Sequence, residues 1–314
     1  LPVWLLLQPR DYLSSFLLYA ALLGGFVGVV FSAAPLQYPA LVAWEAPGLG
    51  ALVPFLFITV ACGACSGFHS IVASGTTSKQ LDQERDARFV GYGAMLIEGV
   101  LALIALCIVA ALAPDPALHK TPPPLLFAAG MGRFLALFGL PESVGSTFGL
   151  LALSAFLLTT LDTATRLSRY VLEEFFSLRG SFSRYLATAA SLLLPALFAF
   201  LSMTDPAGRP VPVWKAIWPI FGATNQLLAA LALMAVTVWL KRQGRRFLFT
   251  LLPALFMSVM TLWSLTLLVV QSLAARGAPG LIGGIAIVLL ALAILVITES
   301  LRILLPHPAA AGRA

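Results

Sequence analysis

The sequence predicts an all-α polytopic membrane protein with about eight transmembrane helices. Three observations carry this. Hydrophobic residues make up 60% of the chain and charged residues only 10%, with a mean hydropathy of +0.97, whereas soluble domains average roughly 25% charged. Eight apolar segments recur along the chain, most of them near the roughly 20 residues a spanning helix needs. The basic residues cluster in alternate loops, as the positive-inside bias requires of a multi-pass protein.

The segments lie at about 13 to 34, 50 to 72, 91 to 113, 146 to 161, 183 to 203, 218 to 240, 247 to 271 and 281 to 298. The first opens after Arg10-Asp11 and runs without charge. The second carries glycines, a histidine and a row of hydroxyls at and beyond its middle, so a break in the helix is expected there. The third contains Glu98. The fourth is short, glycine-interrupted at its start and hydroxyl-rich at its end, which marks a second broken or cavity-lining helix. Leu125 to Leu140 is apolar but broken by Arg133 and glycines, and reads as a re-entrant or interfacial helix. The sixth starts at Trp218-Pro219, with proline well placed in a first turn. The fifth, seventh and eighth are plain apolar spans. The whole chain, 1–314, reads as a single transmembrane domain.

Of the nineteen lysines and arginines, fourteen fall on the side of the amino terminus and five on the other. Both ends are therefore expected in the cytoplasm, together with the loops 78–90, 162–184 and 241–246. The net charge of +6 is spread through short loops without interleaved aromatics, so no nucleic-acid partner is implied. Leu1 to Tyr12 lacks the charged start, short apolar core and cleavage site of a secretory signal. The three cysteines, Cys62, Cys65 and Cys107, lie in apolar spans and make no secreted-type disulfide framework.

The stretch CGACSGFHSIVASGTTSKQ, Cys62 to Gln80, is the expected binding site. Hydrocarbon offers no water to unpaired backbone or polar side chains, so such a segment persists only against a cavity or a protein neighbour. Gly63, Ser66, Gly67, His69, Ser70, Ser74, Gly75, Thr76 and Thr77 are the candidate substrate-binding residues here. Each also has a plainer use. Gly63-x-x-x-Gly67 suits close helix packing, His69 a structural hydrogen bond, and Ser74 to Thr77 the capping of a helix end. On one continuous helix Cys62, Cys65, Ser66 and His69 would share a face, and the two thiols with the imidazole offer three soft-metal ligands. A fourth ligand is not evident, so no metal or other cofactor is expected. KQLDQERDAR, Lys79 to Arg88, alternates in charge and reads as a solvated cytoplasmic helix, or else as an ion-paired inner gate.

Further along, Glu98 is a carboxylate well inside an apolar span, where it must be neutral, paired or facing water. It either carries a coupling proton or hydrogen-bonds a neighbouring helix. Thr159, Thr160 and Asp162 offer oxygens suited to a hard cation such as sodium. Equally, Asp162 is four residues from Arg166 and can pair with it. Asn225 and Gln226 are adjacent amides in the sixth segment that either bridge helices or line the pathway. No phosphate loop, nucleophile elbow or closed metal signature appears, so an enzyme is not expected.

Four runs carry a family resemblance: LPVWLLLQPRDYLSSFLLY, PFLFITVACGACSGFHSIVASGTTSKQLDQERDARFVGYGAMLIEG, LSAFLLTTLDTATRLSRYVLEE and IWPIFGATNQLLAALALMAVTVWL. The chain resembles the carbon starvation protein A family of bacterial inner-membrane transporters over about residues 1 to 240. Residues 241–314, the last two helices and a tail, match only in length and hydropathy. Family members carry additional amino-terminal helices, so a longer transporter is expected. The resemblance implies part of an inverted-repeat (LeuT-like) fold of two five-helix repeats. On that analogy, 13 to 34 would be the fifth core helix, 50 to 72 the discontinuous sixth and 146 to 161 the eighth.

The expected function is secondary-active uptake of a small carboxylate-bearing nutrient, for which the resemblance implies peptides or pyruvate when preferred carbon is scarce. A proton gradient is favoured over sodium, because His69 and Glu98 are titratable groups within the spans. A membrane sensor or structural subunit that moves nothing is the rival, and a soft-metal transporter a more distant one.

Overall fold

The computed structural model describes residues 3–32, 35–39, 41, 43–46, 50–112, 121–178, 180–204, 210–276 and 280–304. In chain order the elements are α1 (Val3–Phe31), β1 (Glu45–Ala46), β2 (Gly50–Ala51), α2 (Leu52–Ala64), α3 (Gly67–Gly75), α4 (Ala94–Ala111), α5 (Pro123–Ala136), α6 (Glu142–Phe175), α7 (Ser181–Phe200), β3 (Ser202–Thr204), β4 (Pro210–Pro212), α8 (Val213–Ala216), α9 (Trp218–Arg242), α10 (Leu248–Arg276) and α11 (Leu281–Leu304). The strands form two short antiparallel hairpins, β1 with β2 and β3 with β4. Seven described helices are long and apolar enough to cross a membrane: Gln8–Phe31, Arg88–Ala111, Glu142–Phe175, Phe182–Phe200, Trp218–Arg242, Leu248–Ala274 and Ile282–Leu304.

The second apolar segment is absent from that set because it is two helices. The chain stops being helical at Cys65 and Ser66, leaving α2 with 13 residues and α3 with 9. Neither piece alone covers the roughly 30 Å of hydrocarbon at 1.5 Å per residue. The break also separates Cys62, on α2, from His69, on α3, so the shared helical face that suggested a soft-metal site does not form.

Three other expectations are corrected. The fourth apolar segment is not broken: α6 is one helix of 34 residues. Its glycines serve packing instead. Gly132 of α5 faces Gly145 of α6 so closely that a β carbon on Gly145 would stand 2.9 Å from the Gly132 α carbon. Lys79 to Arg88 is not a helix either. A 3-10 turn at Thr77–Lys79 leads into bends and turns, and helical structure resumes only at Asp86, followed by a π-helical turn at Arg88–Gly93. Third, Asp162 pairs with Arg10, not with Arg166. The short helix expected within 125–140 is α5, whose 14 residues are too few to span.

The helices group into two compact units, one of residues 1–42 and 82–188, the other of 43–81 and 189–314. In the first, α1, α4, α5 and α6 enclose Ala21, Ile104, Ile108, Phe127, Met131, Phe134 and Ala152. In the second, Phe55 and Ile58 of α2 pack with Ala223 and Leu227 of α9, Leu265 and Leu268 of α10, and Ala286 and Ala293 of α11. A membrane removes the usual drive to bury apolar side chains, so close packing of small residues and interhelical hydrogen bonds hold such units together.

Candidate functional site

Ser66 begins α3 as its N-cap: its backbone is extended and its hydroxyl oxygen accepts from the His69 amide at 3.3 Å. Two donors at this helix start are also taken by a residue 157 or more positions away. The Phe68 amide donates to Asn225 Oδ1 at 2.8 Å, and the Ser66 hydroxyl donates to the same oxygen at 3.2 Å. An unpaired N–H at the start of a helix is costly where water is scarce. The Asn225 carboxamide therefore acts as a cap delivered from α9.

The cap works because the two helices touch. Gly67 is buried, and a β carbon there would overlap the Asn225 carbonyl oxygen and the Leu228 β carbon and come within 2.7 Å of the Ala229 amide nitrogen. Above the break, Ile58 of α2 lies against Gly222 of α9, the nearest contacts a β carbon at Gly222 would meet. Thus α9 runs alongside both halves of the broken helix and bridges the gap. Its second amide turns elsewhere. Gln226 is fully buried, with Nε2 against Met257 Sδ of α10 at 3.4 Å. Among the described residues, Asn225 Nδ2 and Gln226 Oε1 are buried atoms with no hydrogen-bond partner, each leaving about 1–3 kcal/mol of desolvation uncompensated.

The remaining predicted residues distribute as follows. Gly63 sits in the last turns of α2, and the Cys62 side chain lies outside the described residues. His69 is in the first turn of α3 with an exposed side chain, its ring edge-on to Phe68 at 5.6 Å between centroids. The hydroxyls of Ser70, Ser74 and Thr76 donate to Gly67, Ile71 and Val72 carbonyls, so they are occupied along their own helix. Thr76 is the C-cap of α3, Gly75 its last residue, and Thr77 opens the 3-10 turn. The break thus brings Ser66, Gly67 and Asn225 together. It does not include Gln226 or the Ser74–Thr77 run.

Of the residues expected to couple uptake to an ion, His69 lies beside the break, whereas Glu98, Thr159, Thr160 and Asp162 belong to the other unit. Glu98 is exposed on α4, and among the described residues no hydrogen-bond or ion-pair partner meets it. Open space surrounds the neighbouring Gly99. Asp162 of α6 pairs with Arg10 of α1 at 2.5 Å, Arg10 also binds Asp11 at 2.7 Å, and the Thr159 hydroxyl lies 3.2 Å from Asp11 Oδ1. One guanidinium thus serves two carboxylates. Thr160 points its hydroxyl to the Phe156 carbonyl of its own helix. Sequence reading missed Arg10 and Asp11 as partners of Asp162 and Thr159 and counted Arg10 only as a topogenic charge. The available signal was a charge pair just before the first apolar run that matches an acid at the end of the fourth.

A surface groove lined by Ser143, Val144, Thr147, Phe148 and Leu151 runs along one face of α6 and touches none of these groups.

The comparisons point to one family. The model of "Carbon starvation protein CstA" matches residues 1–119 and 117–264. The chain is 33% identical to the pyruvate/proton symporter BtsT of Escherichia coli (strain K12), over 85% of this chain and 48% of that protein. It is 34% identical to the peptide transporter CstA of Helicobacter pylori (strain J99), over 84% of this chain and 47% of that protein. Against the peptide transporter CstA of Escherichia coli (strain K12) the identity is 33%, over 83% and 46%. The chain spans about half the length of the curated relatives it matches. No solved structure matches.

Proposed function

Because this chain belongs to the carbon starvation protein CstA family, we propose that it takes part in secondary-active uptake of small carboxylate-bearing nutrients, peptides or pyruvate, coupled to protons. The observation that carries this reading is the helix break at Cys65–Ser66, clasped by Asn225. A half-helix start inside a membrane segment presents amide donors and the positive end of the helix dipole, both suited to a carboxylate. The names of the relatives agree with that chemistry, since pyruvate and peptides both bear one.

Ser66, Gly67, His69 and Asn225 would line the solute site. Glu98 is the proposed proton carrier, with the Arg10–Asp11–Asp162 cluster as a second titratable group. Sodium is the weaker choice. Because α6 is continuous, its carbonyls are engaged in the helix and Thr160 already bonds Phe156.

We place both ends in the cytoplasm of a bacterial inner membrane. Supporting this, contacts inside each unit give the helix directions that alternate crossing demands. Arg10 meets Asp162 while Ala21 shares a core with Ala152, so α1 and α6 are antiparallel. Ile58 meets Gly222 and Gly67 meets Leu228, so the broken pair runs parallel to α9, while the Thr237–Thr250 contact sets α10 against it. We assign α2–α3 the role of the discontinuous sixth helix of an inverted-repeat (LeuT-like) transporter, with α1 as the fifth and α6 as the eighth. Counterflow of labelled pyruvate and dialanine by the reconstituted chain tests the function, and loss of counterflow in His69→Ala with an unchanged melting curve tests the site.

A further inference from the structure

The amide at position 225 does something a plain structural cap does not require. Its oxygen already sits where an anion would bind, accepting from the Phe68 amide and the Ser66 hydroxyl. The geometry fixes which end of the carboxamide this is, because a backbone N–H must face an acceptor. The other end, Nδ2, is buried with no acceptor among the described residues, on a residue only 5% exposed. Asparagine caps helices as well as aspartate or serine does, but a carboxylate would accept the same two donors without burying an unpaired N–H. Here the N-cap serine is already present, so Asn225 is a second cap on a helix that has one.

We propose that the Asn225 carboxamide is a built-in stand-in for the carboxylate of the transported solute, holding the start of α3 until the solute's carboxylate takes over its two donors. This rests on the reading of the break as the solute site. The exchange is acceptor for acceptor. When a carboxylate oxygen takes the Phe68 amide and Ser66 hydroxyl, no donor is left unpaired at any point. The incoming group is the better acceptor, since a charged oxygen at a helix start forms stronger hydrogen bonds than a neutral amide and gains from the dipole. The displaced carboxamide then has a use for its stranded donor, which can reach the second carboxylate oxygen after a side-chain rotation. Solute binding would thus satisfy a donor that the present arrangement leaves orphaned. The contact of Gly67 with α9 keeps Asn225 at the break whichever acceptor is in place. A neutral amide alcohol or ester of the same size has no second charged oxygen and is expected to displace Asn225 poorly, so selectivity for acids follows from the same device.

Two variants in the full chain, purified into lipid nanodiscs, test this with pyruvate and dialanine as probes. In Asn225→Ala the Phe68 amide loses its acceptor, so hydrogen exchange across residues 66–70 should speed up, and either probe should restore wild-type protection. In Asn225→Asp the stand-in becomes a permanent carboxylate. Its melting temperature should equal or exceed that of the wild type, while probe affinity falls about tenfold or more, the factor that about 1.4 kcal/mol of lost exchange advantage represents. The proposal is overturned if exchange in Asn225→Ala stays fast with probe present, or if Asn225→Asp binds the probes as the wild type does. Both hold only against a wild type that binds. A wild type that neither probe stabilises overturns the underlying reading of the site, and the proposal with it.

Discussion

Gly67 and Asn225 meet backbone to backbone: a β carbon at Gly67 would overlap the Asn225 carbonyl oxygen and stand 2.7 Å from the Ala229 amide nitrogen. Everything at the helix break depends on this approach, because it is what lets a side chain of α9 cap the first turn of α3. Gly67→Ala must push the two helices apart. We expect a loss of about 1–3 kcal/mol of stability from overpacking, together with loss of solute binding. Gly99→Ala, which meets open space within α4, is the control: it should leave solute binding unchanged and raise stability by up to about 1 kcal/mol. Thermal unfolding of both variants checks this.

The ion cluster of α1 and α6 gives a second prediction. Arg10 and Asp162 are 28% and 31% exposed, between the surface and the buried case. Surface pairs contribute about 0–1 kcal/mol and broken buried pairs cost about 3–5 kcal/mol. Arg10→Gln should therefore destabilise the first unit by about 1–3 kcal/mol. Adding Asp162→Asn should recover part of that loss, since the second change removes one of the two carboxylates that Arg10 served. A double-mutant cycle measures the coupling, and additive losses would mean the contact does not hold α1 to α6.

Much of this was legible in the sequence, and the division has physical causes. The break in the second apolar segment showed because glycine, serine and histidine at mid-membrane contradict an uninterrupted helix. The same signal failed for α6, where glycines of the fourth segment serve contact with α5 at Gly132. Glycine reports close approach and helix breaking alike, and only the neighbour tells which. Lys79–Arg88 misled because alternating charge fits a helix surface, while the turns after Thr77 end the helical run. Asn225 was picked out as an amide needing a partner. Its partner, the Phe68 amide, was not readable, since it lies 157 residues away. The pairing of Arg10 with Asp162 was hidden for the same reason, while the nearer Arg166 offered a local alternative that the helix geometry does not use.

Coupling yields a third prediction. Glu98 is exposed on an otherwise apolar helix and meets no partner among the described residues. If it carries the proton, Glu98→Gln keeps solute exchange across liposome membranes but loses accumulation driven by a pH gradient. Normal gradient-driven accumulation by this variant would remove Glu98 from the mechanism and leave the Arg10–Asp11–Asp162 cluster as the group to test.

Orientation is the fourth. Single cysteines placed at 78–90 and 241–246 should react with impermeant thiol reagents from the cytoplasmic side only, and those at 35–49 from outside only. The reverse pattern would overturn the charge argument.

The central claim is that solute binds at the break beside Asn225, and Cys65 lies in that break with a partly buried thiol. In a Cys62→Ser, Cys107→Ser background it becomes the sole thiol of the chain. Its alkylation rate depends on access and on its surroundings, both of which a bound solute alters. Our account predicts that saturating pyruvate or dialanine slows Cys65 alkylation several-fold, while the methyl ester of pyruvate has little effect. Alkylation at the same rate with and without both acids, in a preparation that carries out counterflow, would place the solute elsewhere and contradict the account.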